Sequence, residues 1–125
     1  MEWLMIGAGG FAGAVARSML ARLVTLWAGE WSFPLGTLSV NVLGSFAFGL
    51  LAAWFTGRVA VSPEMRGLVF AGFLGAFTTF STFSIELLDL LRGGQHLTGG
   101  VYLGASVVLS LGAAWLGLTL GQAIQ

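Results

Sequence analysis

The chain has 125 residues, of which 57% are hydrophobic and only 8% are charged, with five basic and five acidic residues. Soluble domains carry about 25% charged residues, so this chain cannot cover a water-facing surface, and we predict a membrane protein with a single domain, residues 1–125. It contains no cysteine, one histidine and no basic patch. This excludes disulfide frameworks and thiolate metal sites and disfavours zinc sites and nucleic-acid binding.

Four segments are long and apolar enough to cross a bilayer, which requires about 20 residues each. They run from about Trp3 to Trp27, Leu35 to Phe55, Arg66 to Leu91 and Thr98 to Ala123. The connections are short and contain turn-forming residues, and His96 falls in the last of them. The predicted fold is therefore an all-α membrane protein of four transmembrane helices, with both termini on the same side.

The arginines give little preference for one orientation in the membrane. Arg22 and Arg92 lie toward one face, with Arg17 deeper on that side, whereas Arg58 and Arg66 lie toward the other. Orientation normally follows an excess of basic residues on the cytoplasmic side. A near tie fits a protein that inserts in both directions, and it also fits a small protein with a weak bias.

The first, second and fourth helices carry few polar residues, so each one is informative. Arg17 either extends to the interface, the commoner case, or gives positive charge to an anion entrance. Asn41 either forms an interhelical hydrogen bond worth roughly 1 kcal/mol or lines a pore. Glycines four residues apart let helices approach closely, and we expect most such pairs to pack within one subunit. These pairs are Gly9 and Gly13, Gly100 and Gly104, and Gly117 and Gly121.

The third helix contains an unusual run of ten residues, from Gly75 to Ser84, with five hydroxyl side chains and three phenylalanines. Polar atoms at the centre of a bilayer are costly unless protein or water satisfies them, so such a run marks an ion or substrate path. Gly72 and Gly75, followed by Thr78 and Thr79, predict a break in the helix. A break frees carbonyl oxygens that can bind a hard cation such as sodium. The alternative is a continuous helix whose hydroxyls bond to its own carbonyls.

Aromatic and polar side chains recur at helical spacing in the third and fourth helices. Phe80 and Phe83 share one helical face, and the positive edge of an aromatic ring can contact an anion, although such pairs are more often packing residues. Tyr102, Ser106 and Ser110 form one polar stripe. We interpret this stripe as a track for ions or water.

The acidic residues argue against a small proton-coupled multidrug-type transporter, the main alternative. That mechanism needs a carboxylate deep in a helix. Glu86 and Asp89 lie late in the third helix, where we expect them to pair with Arg92 or Arg17, and the remaining acidic residues are terminal or in loops. A non-transporting scaffold would explain the glycines but not the aligned polar positions. No nucleophile has a base at membrane depth, so we do not predict an enzyme.

These motifs resemble those of the Fluc (CrcB) fluoride channels over nearly the whole chain. The third-helix motif is Gly72-Phe73-Leu74-Gly75-Ala76-Phe77-Thr78-Thr79-Phe80-Ser81-Thr82-Phe83-Ser84-x-Glu86. The second-helix motif is Gly36-Thr37-Leu38-x-Val40-Asn41-x-x-Gly44-Ser45-Phe46, and the first is Gly10-x-x-Gly13-Ala14-x-x-Arg17.

The resemblance implies a multi-pass channel of the prokaryotic plasma (inner) membrane that passively exports toxic fluoride. It implies an antiparallel, dual-topology homodimer with two pores, and a structural Na⁺ at the dimer interface held by backbone carbonyls of Gly75 and Thr78. The pore residues that it implies are Asn41, Thr79, Phe80, Thr82, Phe83, Tyr102, Ser106 and Ser110, and Arg17 and Glu86 are further site residues at matching positions.

Overall fold

A computed structural model of the chain describes residues 1–29, 31–57 and 60–125. Six α-helices and one π-helix occupy most of these ranges, and no strand occurs in them. They are α1 (Glu2–Ala28), α2 (Leu35–Thr56), α3 (Pro63–Arg66), the π-helix (Gly67–Leu74), α4 (Gly75–Phe77), α5 (Phe80–Arg92) and α6 (His96–Ala123).

Four helical segments in the described residues are long and apolar enough to cross a membrane, which makes this a multi-pass membrane protein. Three are α1, α2 and α6, and the fourth is Pro63–Arg92, which joins α3 to α5. Each prediction is confirmed to within a few residues. The prediction that His96 lies in a loop is wrong, because it is the first residue of α6. The arguments about Glu30 and Arg58 fall outside the described residues.

The third span begins with a regular cap. The Ser62 hydroxyl accepts a hydrogen bond from the Met65 backbone N–H at 3.1 Å. Pro63 occupies the first turn, where its missing N–H costs nothing. Glu64 therefore lies in the first turn of the third span rather than in a loop, and it is not in the middle of that span.

Glycines allow close contact between α1 and the third span and between α2 and α6. A side chain at Gly13 would strike the backbone carbonyl of Phe73, and one at Gly117 would strike that of Phe46. Gly9 and Gly121 make similar approaches, so two of the three spaced pairs pack within the subunit, as expected. Gly100 and Gly104 do not, because nothing lies within 4 Å of a side chain placed there.

The subunit buries few large side chains. One small cluster joins α2, α5 and α6, and its buried members are Leu38, Phe83, Leu90 and Tyr102. Most other large apolar residues of the described chain are exposed, including Phe11 at 75% and Trp27 at 86%. Such outward-facing side chains suit contact with lipid, since association of membrane helices rests on close packing rather than on burial of apolar surface from water.

The third span is interrupted where the sequence predicts a break. Thr78 and Thr79 are extended, with ψ angles of 155° and 120°. They separate α4 from α5. The π-helix before α4 was not predicted; π-helical turns are rare and often lie at functional sites. Nothing in its sequence distinguishes it from an ordinary apolar helix.

Candidate pore site

Asn41 satisfies the backbone at the break. The Thr79 N–H donates to Asn41 Oδ1 at 2.8 Å, and Asn41 Nδ2 donates to the Thr79 carbonyl at 3.0 Å. One side-chain amide therefore replaces the helical hydrogen bonds of both backbone groups of Thr79. Asn41 therefore forms the interhelical bond that was one of the two alternatives raised by the sequence, and it also lines the groove described below.

Arg17 supports the other side of the break. Its Nε donates to the Ala76 carbonyl at 3.0 Å. This carbonyl belongs to α4, at the carboxyl end of the first half of the span, where a positive charge is favourable. Arg17 is therefore held inside the subunit rather than extended to the interface.

The second half of the span begins with its own cap near mid-span. Thr79 Oγ1 accepts from the Thr82 backbone N–H at 3.2 Å and donates to Thr82 Oγ1 at 3.1 Å. The helix α5 thus directs its amino terminus, which carries partial positive charge, toward the middle of the span. The Thr78 hydroxyl instead bonds to the Leu74 carbonyl at 3.1 Å, as a continuous helix would allow.

Two carbonyl oxygens at the break have no partner among the described residues. Thr79 N–H is the ordinary helical donor to the Gly75 carbonyl, but it bonds to Asn41 instead. Thr82 N–H is the ordinary donor to the Thr78 carbonyl, but it bonds to the Thr79 hydroxyl. Free carbonyl oxygens are suitable ligands for a hard cation, so the residues present fit the cation site that the family resemblance implied at Gly75 and Thr78.

Phe80 and Phe83 lie together but in different environments. Their ring centroids are 5.5 Å apart with planes at 47°. Phe83 is buried, with 6% of its surface exposed, whereas Phe80 is 78% exposed. The shared face is confirmed, but within one subunit Phe80 has no enclosing wall.

Two hydroxyls of α6 are buried without partners. Ser106 Oγ and Ser110 Oγ make no hydrogen bond with any residue that the structure describes, and Ser106 is only 8% exposed. Other hydroxyls in the helices bond to the carbonyl four residues before them, as at Ser18, Thr25, Thr56, Ser84 and Thr119. Ser106 and Ser110 lack even this local bond, so they remain available to a ligand.

Tyr102, the first residue of the stripe, is fully buried and its hydroxyl donates to Glu86 Oε1 at 2.9 Å. We had expected Glu86 to pair with Arg17 or Arg92, but its partner is Tyr102. Asp89 likewise forms no ion pair in the part of the chain that the structure describes. The result is a carboxylate held by a tyrosine beside the hydroxyl-rich start of α5.

Two cavities meet at Thr79. A groove of about 820 Å³ is lined by the polar residues Asn41, Ser45, Thr78, Thr79, Ser106 and Ser110, by Phe80 and Phe83, and by apolar residues of α2 and α6. A vestibule of about 440 Å³ contains Arg17, Arg22, Thr79, Thr82 and Glu86. Thr79 lines both, so the two cavities adjoin the same residue at the break.

Comparison with known proteins shows the family of the chain. The family model described as "CrcB-like protein, Camphor Resistance (CrcB)" matches residues 4–118. The chain belongs to the CrcB family. One CrcB relative, "Fluoride-specific ion channel FluC" of Magnetococcus marinus, is 48% identical over 99% of this chain and all of its own length. "Fluoride-specific ion channel FluC 1" of Symbiobacterium thermophilum is 46% identical over 97% of this chain and 98% of its own. A FluC of Nitratidesulfovibrio vulgaris is 44% identical, with 97% of each chain covered.

The sequence reasoning missed part of the site in this CrcB chain. Ser45 lines the groove, and Thr37 and Arg22 line the vestibule. Thr37, Asn41 and Ser45 are spaced four residues apart, the same pattern that identified the stripe on α6. That spacing was a usable signal for α2, whereas nothing local placed Arg22 in the same cavity as Glu86.

Proposed function

We propose that this chain is a fluoride-selective ion channel that passively exports fluoride across the prokaryotic plasma (inner) membrane. The relatives named as fluoride-specific channels support this function over that of an enzyme or a proton-coupled transporter. The observation that carries the proposal is the pair of buried, unpartnered hydroxyls at Ser106 and Ser110, in the groove that Asn41 and Phe83 also line.

The chemistry of the groove suits a small, strongly hydrated anion. Fluoride gives up its water only where other donors replace it. Hydroxyl groups of Ser106 and Ser110, the positive edges of Phe80 and Phe83, and the amino terminus of α5 supply such donors without a full charge. We expect a path of this kind to bind fluoride and release it quickly, and Arg17 and Arg22 to draw anions into the vestibule.

The proposed assembly is an antiparallel homodimer with two pores. Phe80 is 78% exposed beside a groove that is open on one side, so a second copy would complete the wall. By sequence position, three arginines (Arg17, Arg22 and Arg92) lie toward one face and two (Arg58 and Arg66) toward the other, a weak bias that agrees with insertion in both orientations.

A structural Na⁺ at the dimer interface is part of the same proposal. The Gly75 and Thr78 carbonyls of each subunit would hold it, since neither accepts a hydrogen bond from the described residues. When bound, the ion would supply positive charge that offsets the carbonyl dipoles where the two broken helices meet. Dimer dissociation in sodium and in a large organic cation would be compared, and equal dissociation would count against the site.

The function is tested by fluoride efflux from liposomes that contain the purified protein, read with a fluoride electrode. Fast release without a proton gradient, with chloride retained, is the expected result. Absence of fluoride release from a folded dimer would overturn the proposal. The variant Glu86→Gln tests the transporter alternative, because a variant that cannot carry a proton at this position and yet keeps full fluoride flux is incompatible with Glu86 as an obligatory proton carrier.

A further inference from the structure

A continuous series of ring contacts connects the α1–α2 loop to the groove. Trp31 stacks on Phe33 at 5.4 Å, and Phe33 meets the Tyr102 ring edge-on at 5.5 Å with planes at 80°. Tyr102 contacts Phe83 at 5.1 Å, and Phe83 contacts Phe80 at 5.5 Å. Phe33 is the member that brings a residue from outside the four spans into contact with the pore residues.

The loop that carries Phe33 is fixed on both sides. The Leu35 N–H donates to the Phe33 carbonyl at 2.8 Å, which joins the loop to the start of α2. The Ser32 hydroxyl donates to Gln95 Oε1 at 3.1 Å, which joins it to the turn before α6. Phe33 is half-buried and packs against the cluster that contains Tyr102 and Phe83.

The Tyr102 ring is therefore held from two directions. Phe83 contacts it from α5 and Phe33 from the loop, and the ring is fully buried. The direction of its hydroxyl, and hence the 2.9 Å bond to Glu86, depends on the angle at which the ring is held. Without the Phe33 ring, Tyr102 would have an aromatic contact on one side only.

We infer that Phe33 is a positioning residue of the pore, which orients the Tyr102 hydroxyl toward Glu86 through the edge-on ring contact. The α1–α2 loop thereby takes part in conduction although it lies outside the membrane spans. This inference rests on the proposed pore function and adds to it a residue that none of the pore motifs contains.

The test is a double-mutant cycle on fluoride efflux. Phe33→Leu removes the ring and keeps an apolar side chain, and we expect about a three- to tenfold loss of flux, the scale of an aromatic-pair contribution. Tyr102→Phe keeps the ring and removes the hydroxyl. In the Tyr102→Phe background, Phe33→Leu should cause no further loss of flux, because the hydroxyl that the Phe33 ring orients is absent.

The cycle distinguishes positioning from packing. If Phe33 only packs against the Tyr102 ring, its loss persists in the Tyr102→Phe background, since the ring remains, and the inference fails. Wild-type flux in Tyr102→Phe alone also overturns it. Phe33→Tyr, which retains the ring, should restore the flux lost in Phe33→Leu.

The controls keep the outcomes separate. Phe11→Leu makes the same substitution at a phenylalanine that is 75% exposed, and it should conduct like the wild type. Gel filtration checks that each variant stays folded and assembled. Lack of flux in the wild type would refute the proposed function itself, whereas additive losses in a conducting protein would refute only the role of Phe33.

Discussion

Replacement of Asn41 by alanine tests whether one side chain makes the helix break possible. The variant removes both hydrogen bonds to Thr79 and supplies nothing in their place. A backbone group buried without a partner costs about 1–3 kcal/mol. Two such groups give an expected loss of about 2–6 kcal/mol, with the lower part of that range favoured because Asn41 is only half-buried.

The measurement is the unfolding midpoint of the purified protein in detergent, followed by fluoride efflux from liposomes. Asn41→Ala should lower both. Asn41→Asp is the more specific variant. It keeps the acceptor for the Thr79 N–H, but it replaces the donor to the Thr79 carbonyl with a carboxylate oxygen, which repels that carbonyl. We expect Asp to be at least as damaging as Ala, although it is nearly the same size.

Thr119→Ala is the matched control. It also removes a polar side chain from a membrane helix, but the Thr119 hydroxyl is exposed and bonds only to the Trp115 carbonyl of its own helix. Its loss should leave stability and efflux unchanged. If Asn41→Ala matches this control in both measurements, the reasoning that the break depends on Asn41 is refuted.

Three further predictions follow from the site. Ser106→Ala and Ser110→Ala should each reduce fluoride efflux about ten- to hundredfold, which is the contribution of one hydrogen bond to an ion. The unfolding midpoint should stay unchanged, because neither hydroxyl has a partner among the described residues. A loss of stability with normal flux would contradict this prediction. Phe80→Ile or Phe83→Ile should lower fluoride flux at least about tenfold, which corresponds to a rise of about 1.4 kcal/mol in the barrier to conduction, while gel filtration still finds dimers. Wild-type flux in both variants would refute the aromatic pore. Arg17→Lys keeps the charge but loses the Nε geometry, so its unfolding midpoint should fall, and an unchanged midpoint would show that the Ala76 bond contributes nothing.

The four spans and the position of the break could be predicted from the amino-acid pattern. Apolar runs of sufficient length predict membrane helices because no other backbone arrangement except a closed barrel satisfies its hydrogen bonds in lipid. Glycine and threonine at 75, 78 and 79 weaken a helix locally, so the break was predictable. Spacing alone also placed Tyr102, Ser106 and Ser110 in one stripe, of which Ser106 and Ser110 line the groove.

Only the tertiary structure decided what each polar residue does. Asn41 and Thr79 are 38 residues apart in sequence, and Arg17 and Ala76 are 59 apart. Helical spacing gives the face on which a side chain lies but not the neighbour that it meets. For the same reason the sequence paired Glu86 with an arginine, whereas the fold brings it to Tyr102. Whether a buried hydroxyl is satisfied depends on distances across helices, so the free hydroxyls at Ser106 and Ser110 became visible only after the spans were packed.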